Sequence, residues 1–401
     1  MKVAYYSPLP PSRSGVADYS ALLLPALRER IDVVLAKPGR FRREPPADVA
    51  LYHVGNDPDA HGWIVEALRR RPGLVVLHEF VLHHLVVGLT FARGDAAGYR
   101  AAMEREAGLA GYLLGHAVLD NKIPPLWETR PEDFPLAGEI LDRATGLVVH
   151  SRFVDQRARA AGFAGPVWRI PHPAWPVPVA EPERIEGDPV FGCFGHLNES
   201  KRIPQLLRAF ASLRERRPEA RLLLVGGASS RLEGRLEAEG VVREGYVDEA
   251  RLWRLMAGCD ACISLRSPTM GETSGSVIRA LSLGKPLVVS DVGWFSELPD
   301  AVALKVAVDE HEVDTVAAAL ELLASDAGMR STMGDAARDL VEREHRLDRV
   351  AELYTNALEE AAGRETVQTA VLRDVAAAAA EVGLEETGEL TERLREVGLG
   401  G

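Results

Sequence analysis

Short, continuous apolar runs separated by segments with helical spacing make up the pattern of this chain. Val3-Ala4-Tyr5-Tyr6, Val33-Val34-Leu35, Val49-Ala50-Leu51-Tyr52, Leu74-Val75-Val76-Leu77 and Gly146-Leu147-Val148-Val149 keep apolar side chains on successive positions. An alternating run buries one face of a strand, whereas a continuous run buries both, as parallel strands covered by helices must. The stretches between them, Tyr19–Arg30 and Trp63–Arg70 among them, space their apolar residues as helices do. The alternation predicts a doubly wound α/β sheet with its ligand crevice at the carboxyl ends of the strands.

The pattern breaks and then restarts. Pro171-His172-Pro173-Ala174-Trp175-Pro176-Val177-Pro178 and Glu181-Pro182-Glu183 are too rich in proline for helix or central strand and read as a stiff linker. Strand-like runs return at Val190–Gly195, Arg221–Gly226, Val241–Arg243, Ala261–Leu265 and Leu287–Val289, with a helix expected over Ile203–Arg216. Beyond Glu310 the spacing is helical in Val316–Ala324, Met333–Glu344 and Leu347–Ala362, and the Ala-, Glu- and Leu-rich Val367–Gly400 predicts one or two more helices. The expected division is a first Rossmann-like domain over 1–172, a linker over 173–189, a second over 190–345, and C-terminal helices over 346–401 whose first part crosses back to the first domain. Two such halves facing each other make a cleft, the usual place for a small-molecule site.

Composition narrows the function classes. With 401 residues, 46% hydrophobic and 26% charged, the chain is long enough for two cores and has a soluble globular balance. A net charge of -12 argues against a nucleic-acid partner, which needs basic faces. No segment approaches the ~20 apolar residues of a membrane span, and Met1–Tyr6 is too short for a signal peptide; peripheral membrane contact and a homo-oligomer stay open. Three cysteines make no disulfide framework, so a reducing, cytoplasmic setting is expected. Cys259 and Cys262 have CxxC spacing but lack a second pair, and Cys262 opens an apolar run, so both are expected in a buried strand start. His78-Glu79 lacks a histidine four residues after the first and is not a zinc-protease helix.

The stretch most informative about chemistry is Met270–Ser290. A Gly-rich turn carrying Glu272 leads into a helix with the apolar stripe Val277, Ile278 and Leu281, a Gly284-Lys285-Pro286 stop and the strand Leu287-Val288-Val289. Backbone N–H groups of Ser274, Gly275 and Ser276 open that helix, where unpaired donors and the positive end of the dipole favour an anion. Glu272, just upstream, can accept hydrogen bonds from hydroxyls. Diphosphate beside polyhydroxylated group is the description of a nucleotide sugar.

These residues, with Gly195-His196-Leu197, Lys201-Arg202, Gly245-Tyr246-Val247, the Pro10–Gly15 turn after the first strand, His78 and His150-Ser151, resemble the retaining GT-B glycosyltransferases of the sucrose-synthase and mannosyltransferase type (glycosyltransferase group 1, family 4). The resemblance covers about residues 1 to 362. It implies a nucleotide-diphosphate sugar held by the second domain, an acceptor held by the first, and no metal or other cofactor. Carried over by position, Lys201 would stabilise the departing diphosphate, with Arg202 sharing the role; Glu272 would face the donor-sugar hydroxyls; His78 would bind the transferred sugar, with Glu79 beside it. Gly15 would let backbone amides approach a phosphate, His150 would line the same cleft edge, Tyr246 and Val247 would pack the base, and Thr273, Ser274, Gly275 and Ser276 would cradle the donor. Two positions depart from the family. His196 stands where an arginine is usual, and the second glutamate, which grips the ribose, is missing: counting back from Gly284-Lys285-Pro286 its place falls on Arg279, counting forward from Glu272 on Ala280, so ribose is bound differently or Arg279 takes a new substrate contact.

The expected activity is therefore hexosyl transfer to an acceptor hydroxyl with retention of anomeric configuration, through an oxocarbenium-like state with no carboxylate nucleophile. A sugar-nucleotide epimerase on the same scaffold is one alternative, since Glu79 and Glu272 could serve as acid and base. The other is a non-catalytic protein that binds a nucleotide sugar or carbohydrate.

Overall fold

The computed structural model describes residues 1–12, 14–39 and 44–363. Arg13 of the predicted turn and the helices predicted within Val367–Gly400 lie outside the described residues. The first sheet joins β1 (Lys2–Tyr6), β2 (Asp32–Leu35), β3 (Val49–Val54), β4 (Gly73–Leu77), β5 (Ala144–Val149) and β6 (Val167–Arg169) in the order β2-β1-β3-β4-β5-β6. The second joins β7 (Val190–Phe194), β8 (Arg221–Val225), β9 (Val241–Glu244), β10 (Ala261–Ser264), β11 (Leu287–Ser290) and β12 (Ala303–Val306) in the order β12-β11-β10-β7-β8-β9. Every pairing in both sheets is parallel. This is the doubly wound α/β architecture that the continuous apolar runs predict, twice over; β3, β4, β7, β10 and β11 are buried along their whole length.

Two strands carry no sequence signal of that kind. β6 and β12 are short edge strands, and their half-exposed residues remove the continuous apolar run that marks the others. The helix Ala96–Leu119 also escapes the pattern, because Ala107 and Gly108 break its backbone and interrupt any single apolar stripe. Helix starts differ from periodicity where a cap intervenes. Ser14 accepts a hydrogen bond from the Ala17 N–H at 3.1 Å, so the first helix begins at Gly15 and runs to Arg28, not from Tyr19. Asp57 caps the helix Pro58–Arg70 in the same way, with proline in the first turn where its missing N–H costs nothing. Both caps follow the carboxyl end of a strand, which turns two helix N-termini toward the crevice.

After β6 the chain runs without regular secondary structure through 170–184. The Ala174 N–H donates to the His345 carbonyl at 2.7 Å and His345 Nδ1 donates back to the His172 carbonyl at 2.7 Å, so the linker is stapled to the chain's second crossing between the domains. A helix over 347–363 then lies on the first sheet, where Val350, Ala351, Tyr354, Ala357 and Leu358 join the core of Val3, Tyr5, Tyr19 and Leu23. Cys193, Cys259 and Cys262 are free and buried, as a structural reading of the CxxC spacing requires. Among the described residues no helix is long and apolar enough to cross a membrane.

Candidate active site

The carboxyl ends of the two sheets face each other around a cavity of about 390 Å³. From the first domain come Gly15 at the start of the first helix, His78 and Glu79 after β4, and His150 after β5; from the second come Glu272, Thr273, Gly275 and Arg279. These predicted residues lie far apart in sequence and share one wall because each follows a strand of a doubly wound sheet. The other predicted residues stand elsewhere. Ser274 caps the helix Gly275–Ser282 and its hydroxyl bonds Ser276 Oγ at 3.0 Å, and neither lines the cavity. Tyr246 is 76% exposed and Val247 packs against the core of the second domain.

Lys201 ends a short 3-10 turn, Glu199–Lys201, and is not among the residues that line the cavity. It is buried, and its Nζ donates to the Phe194 carbonyl at the end of β7. Gly195 makes this approach feasible: at φ 94° it lies in the region that favours glycine, and a Cβ there would stand 3.0 Å from Nζ. Burial pulls the Lys201 ammonium down to about 8, with Arg266 adding to the fall and Cys193 and Glu272 opposing it. Arg202, in the left-handed region at the N-terminus of the helix Ile203–Arg214, commits its guanidinium to the buried Glu312, with Nε 3.0 Å from Oε1. That pairing turns it away from the cleft.

Glu272 is fixed at both oxygens. Arg266 Nε lies 2.7 Å from Oε1, while Oε2 accepts from the Met270 N–H at 2.8 Å and the Thr269 hydroxyl at 3.1 Å. Arg266 Nη1 also donates to Ser200 Oγ at 3.2 Å, tying this carboxylate to the turn that carries Lys201. Across the cleft Glu79 is enclosed; the Asn56 N–H donates to its Oε2 at 2.6 Å, and burial, then the neighbouring Glu272, push its carboxyl up to about 7.

The histidines form one contiguous group. His78 Nε2 meets His53 Nδ1 at 3.0 Å, and the His78, His150 and His172 rings all pack against Tyr19. Burial, then His150 and His53, hold the His78 imidazole well below its usual range, so it is neutral. Burial likewise pushes His150 down to about 4. Its Nδ1 lies 2.8 Å from the Ile170 carbonyl, which can only accept, so the proton is on Nδ1 and Nε2 is left as an acceptor without a partner among the described residues. Thr273 Oγ1 and Arg279 Nε, on the same wall, are also buried without partners. Arg279 itself stacks on the linker residue Trp175, 3.5 Å from guanidinium carbon to ring centre, and reaches Glu249 at 3.3 Å. Three orphaned polar atoms around one cavity describe a wall built for a polar, hydroxyl-bearing guest.

Sequence reasoning missed several members. Asn56, Asp57 and His61 follow β3 and were findable from their place at a strand's carboxyl end, but no motif marks them. His172 and Trp175 sit in the proline-rich stretch read as a spacer. Arg266 carries no local signature at all; only packing brings it to Glu272.

Residues 188–326 match the family model for glycosyl transferases group 1. The chain is 35% identical over 160 residues to a D-inositol 3-phosphate glycosyltransferase of Corynebacterium aurimucosum, covering 36% of this chain and 37% of that protein. It is 30% identical over 165 residues to one of Kribbella flavida, covering 37% and 38%. The chain thus matches just over a third of the length of these curated relatives. Among solved structures, sucrose-phosphate synthase from Thermosynechococcus elongatus superposes with a TM-score of 0.64 at 17% identity, over 90% of this chain and 98% of the other. Anabaena HepE in complex with UDP and glucose gives 0.59 at 14%, over 90% and 100%. Those two likenesses establish the fold across both domains. The chain has the GT-B fold, and residues 188–326 of its second domain are similar to the glycosyl transferases group 1.

Proposed function

We propose that the protein transfers a hexosyl group from a nucleotide-diphosphate sugar to an acceptor hydroxyl with retention of anomeric configuration. The observation that carries the reading is the single cavity that joins His78, Glu79 and His150 of the first domain to Glu272, Thr273 and Arg279 of the second. Donor and acceptor have to meet where residues of both domains meet, and closure excludes the water that would hydrolyse the donor. The names of the relatives, glycosyltransferases, and the UDP and glucose in the HepE complex support a nucleotide-sugar donor.

In this reading Glu272 accepts from donor-sugar hydroxyls through the lone pairs that Arg266, Thr269 and Met270 leave free. Neutral His78 and the Nε2 acceptor of His150 bind hydroxyls without adding charge. The Lys201 ammonium and the N-terminus of the helix Gly275–Ser282 stabilise the negative charge that grows on the leaving diphosphate, whose oxygen takes the acceptor proton on the same face. With these cations supplied by the chain, the reaction needs neither a metal nor an organic cofactor. The buried, reduced thiols suit a cytoplasmic setting.

The test is thermal stabilisation by UDP-, GDP- and ADP-sugars with EDTA present, followed by NMR of the glycoside formed from whichever donor binds. An α-linked product from an α-donor supports the reading. A β-linked product overturns retention, and binding of a donor without turnover on any sugar or polyol phosphate favours the non-catalytic alternative.

A further inference from the structure

Glu272 takes its donors from a peptide that the other domain holds in place. The Met270 N–H and Thr269 hydroxyl fix Oε2. The peptides on either side of that N–H are engaged by the first domain. The Met270 carbonyl accepts from the N–H groups of Phe80 and Val81 at 2.8 and 3.0 Å, and the Thr269 N–H donates to Glu132 Oε1 at 2.6 Å. Glu132 stands on a firm base: its carbonyl accepts from Arg157 at 2.7 Å, and the Arg157 guanidinium lies 5.3 Å from the centre of the Phe80 ring. Three residues further on, the Pro135 carbonyl accepts from the Leu82 N–H at 2.7 Å. There is no slack at this junction, because a Cβ on Gly271 would stand 3.1 Å from Phe80 Cβ and 3.3 Å from Val154.

Hydrogen bonds that cross between domains exist only while the domains are closed. Glu132 belongs to the first domain and Thr269 to the second, and one bond away from Thr269 lies the carboxylate that lines the cavity. We propose that Glu132 is a positioning residue that couples domain closure to the orientation of Glu272. The segment 78–82 brings His78 and Glu79 to the cavity and, by docking Phe80 and Val81 on Met270, sets the donor-side carboxylate in the same movement. Donor-sugar recognition is completed only when the acceptor half of the site has arrived. This inference rests on the reading of Glu272 as a donor-sugar ligand.

The discriminating pair of variants is Glu132→Ala and Glu132→Gln in the full chain. Glutamine keeps a carbonyl oxygen for the Thr269 N–H, and alanine does not. Hydrogen exchange of the free protein reads the coupling without any ligand: the Met270 amide is expected to exchange about tenfold faster in Glu132→Ala, as loss of one charge-assisted hydrogen bond implies, and within about twofold of the parent in Glu132→Gln. With UDP and UDP-glucose as probes, the alanine variant should keep its affinity for UDP and lose the added affinity for UDP-glucose. An unchanged Met270 amide in Glu132→Ala overturns the coupling, as does an equal rise in exchange across the whole chain in both variants, which marks a merely structural contact. Should Glu132→Ala fail to fold, Glu132→Asp withdraws the acceptor by one methylene and takes its place with the same expectations. If the Met270 amide responds but the parent binds neither these probes nor the GDP- and ADP-sugars, the coupling stands and the nucleotide-sugar reading falls.

Discussion

Arg266 Nε stands 2.7 Å from Glu272 Oε1, and the two side chains are only 10% and 17% exposed. An ion pair so enclosed gains its stability from mutual compensation, so breaking one half leaves a buried charge unmatched. Arg266→Met is expected to lower the unfolding free energy by about 3 kcal/mol, the range for such a break. The double variant Arg266→Met, Glu272→Gln should cost clearly less than the sum of the two single changes, because the unpaired charge is gone. Urea unfolding measures all four proteins, and strictly additive costs would remove the pair from the account.

Lys201 gives the site a pH dependence of known sign. Its folded value of about 8 lies below the ordinary 10.5. Between these values the unfolded chain holds a proton that the folded chain has released, so the contribution of this group to stability rises with pH across that window. Binding of a diphosphate needs the ammonium and should follow the opposite course, weakening as pH climbs through about 8. Calorimetric titration with UDP from pH 6.5 to 9.5 checks this, and Lys201→Met should bind weakly with no such slope.

Glu79 titrates in the other direction. Its carboxyl is raised from 4.5 to about 7, so between these values the folded protein keeps a proton that the unfolded chain loses, and stability falls as pH rises. Glu79→Gln removes the ionisation and keeps an oxygen for the Asn56 N–H. Melting temperatures of parent and variant at pH 5 and pH 8 should show a smaller drop in the variant; parallel drops would mean that Glu79 is not the group responsible.

The hydroxyls of Tyr19 and Tyr354 meet at 2.6 Å, joining the first helix to the C-terminal helix over 347–363. Both side chains are buried. Tyr354→Phe leaves one buried hydroxyl unsatisfied and is expected to cost about 1–3 kcal/mol. Tyr19→Phe with Tyr354→Phe should recover part of that loss, which denaturant unfolding would show.

Much of the fold is written in the chain. A strand buried on both faces has to be apolar at successive positions, and so β1, β3, β4, β5, β7, β8, β10 and β11 stand out in one dimension, while the half-exposed edge strands β6 and β12 do not. Candidate residues were legible where chemistry and strand ends coincide: His78 after β4, His150 after β5, Glu272 ahead of a capped helix. Arg202 illustrates the limit. Its place beside Lys201 suggests a shared role, yet a single left-handed residue and the buried Glu312 aim it elsewhere.

The alternation of strand and helix, the two-sheet organisation and the Gly-rich turn with its glutamate were determined by the sequence alone, because burial on both faces and helix capping are local requirements that leave a local pattern. Only the tertiary structure decided that Arg266 pairs with Glu272, that Glu132 reaches Thr269, that Trp175 carries Arg279, and that five histidines gather around Tyr19 and the cleft. These relationships are side-chain meetings between loops, linker and helices around the cleft, and Glu132–Thr269 joins the two domains; such packing leaves no periodicity in the segments it brings together.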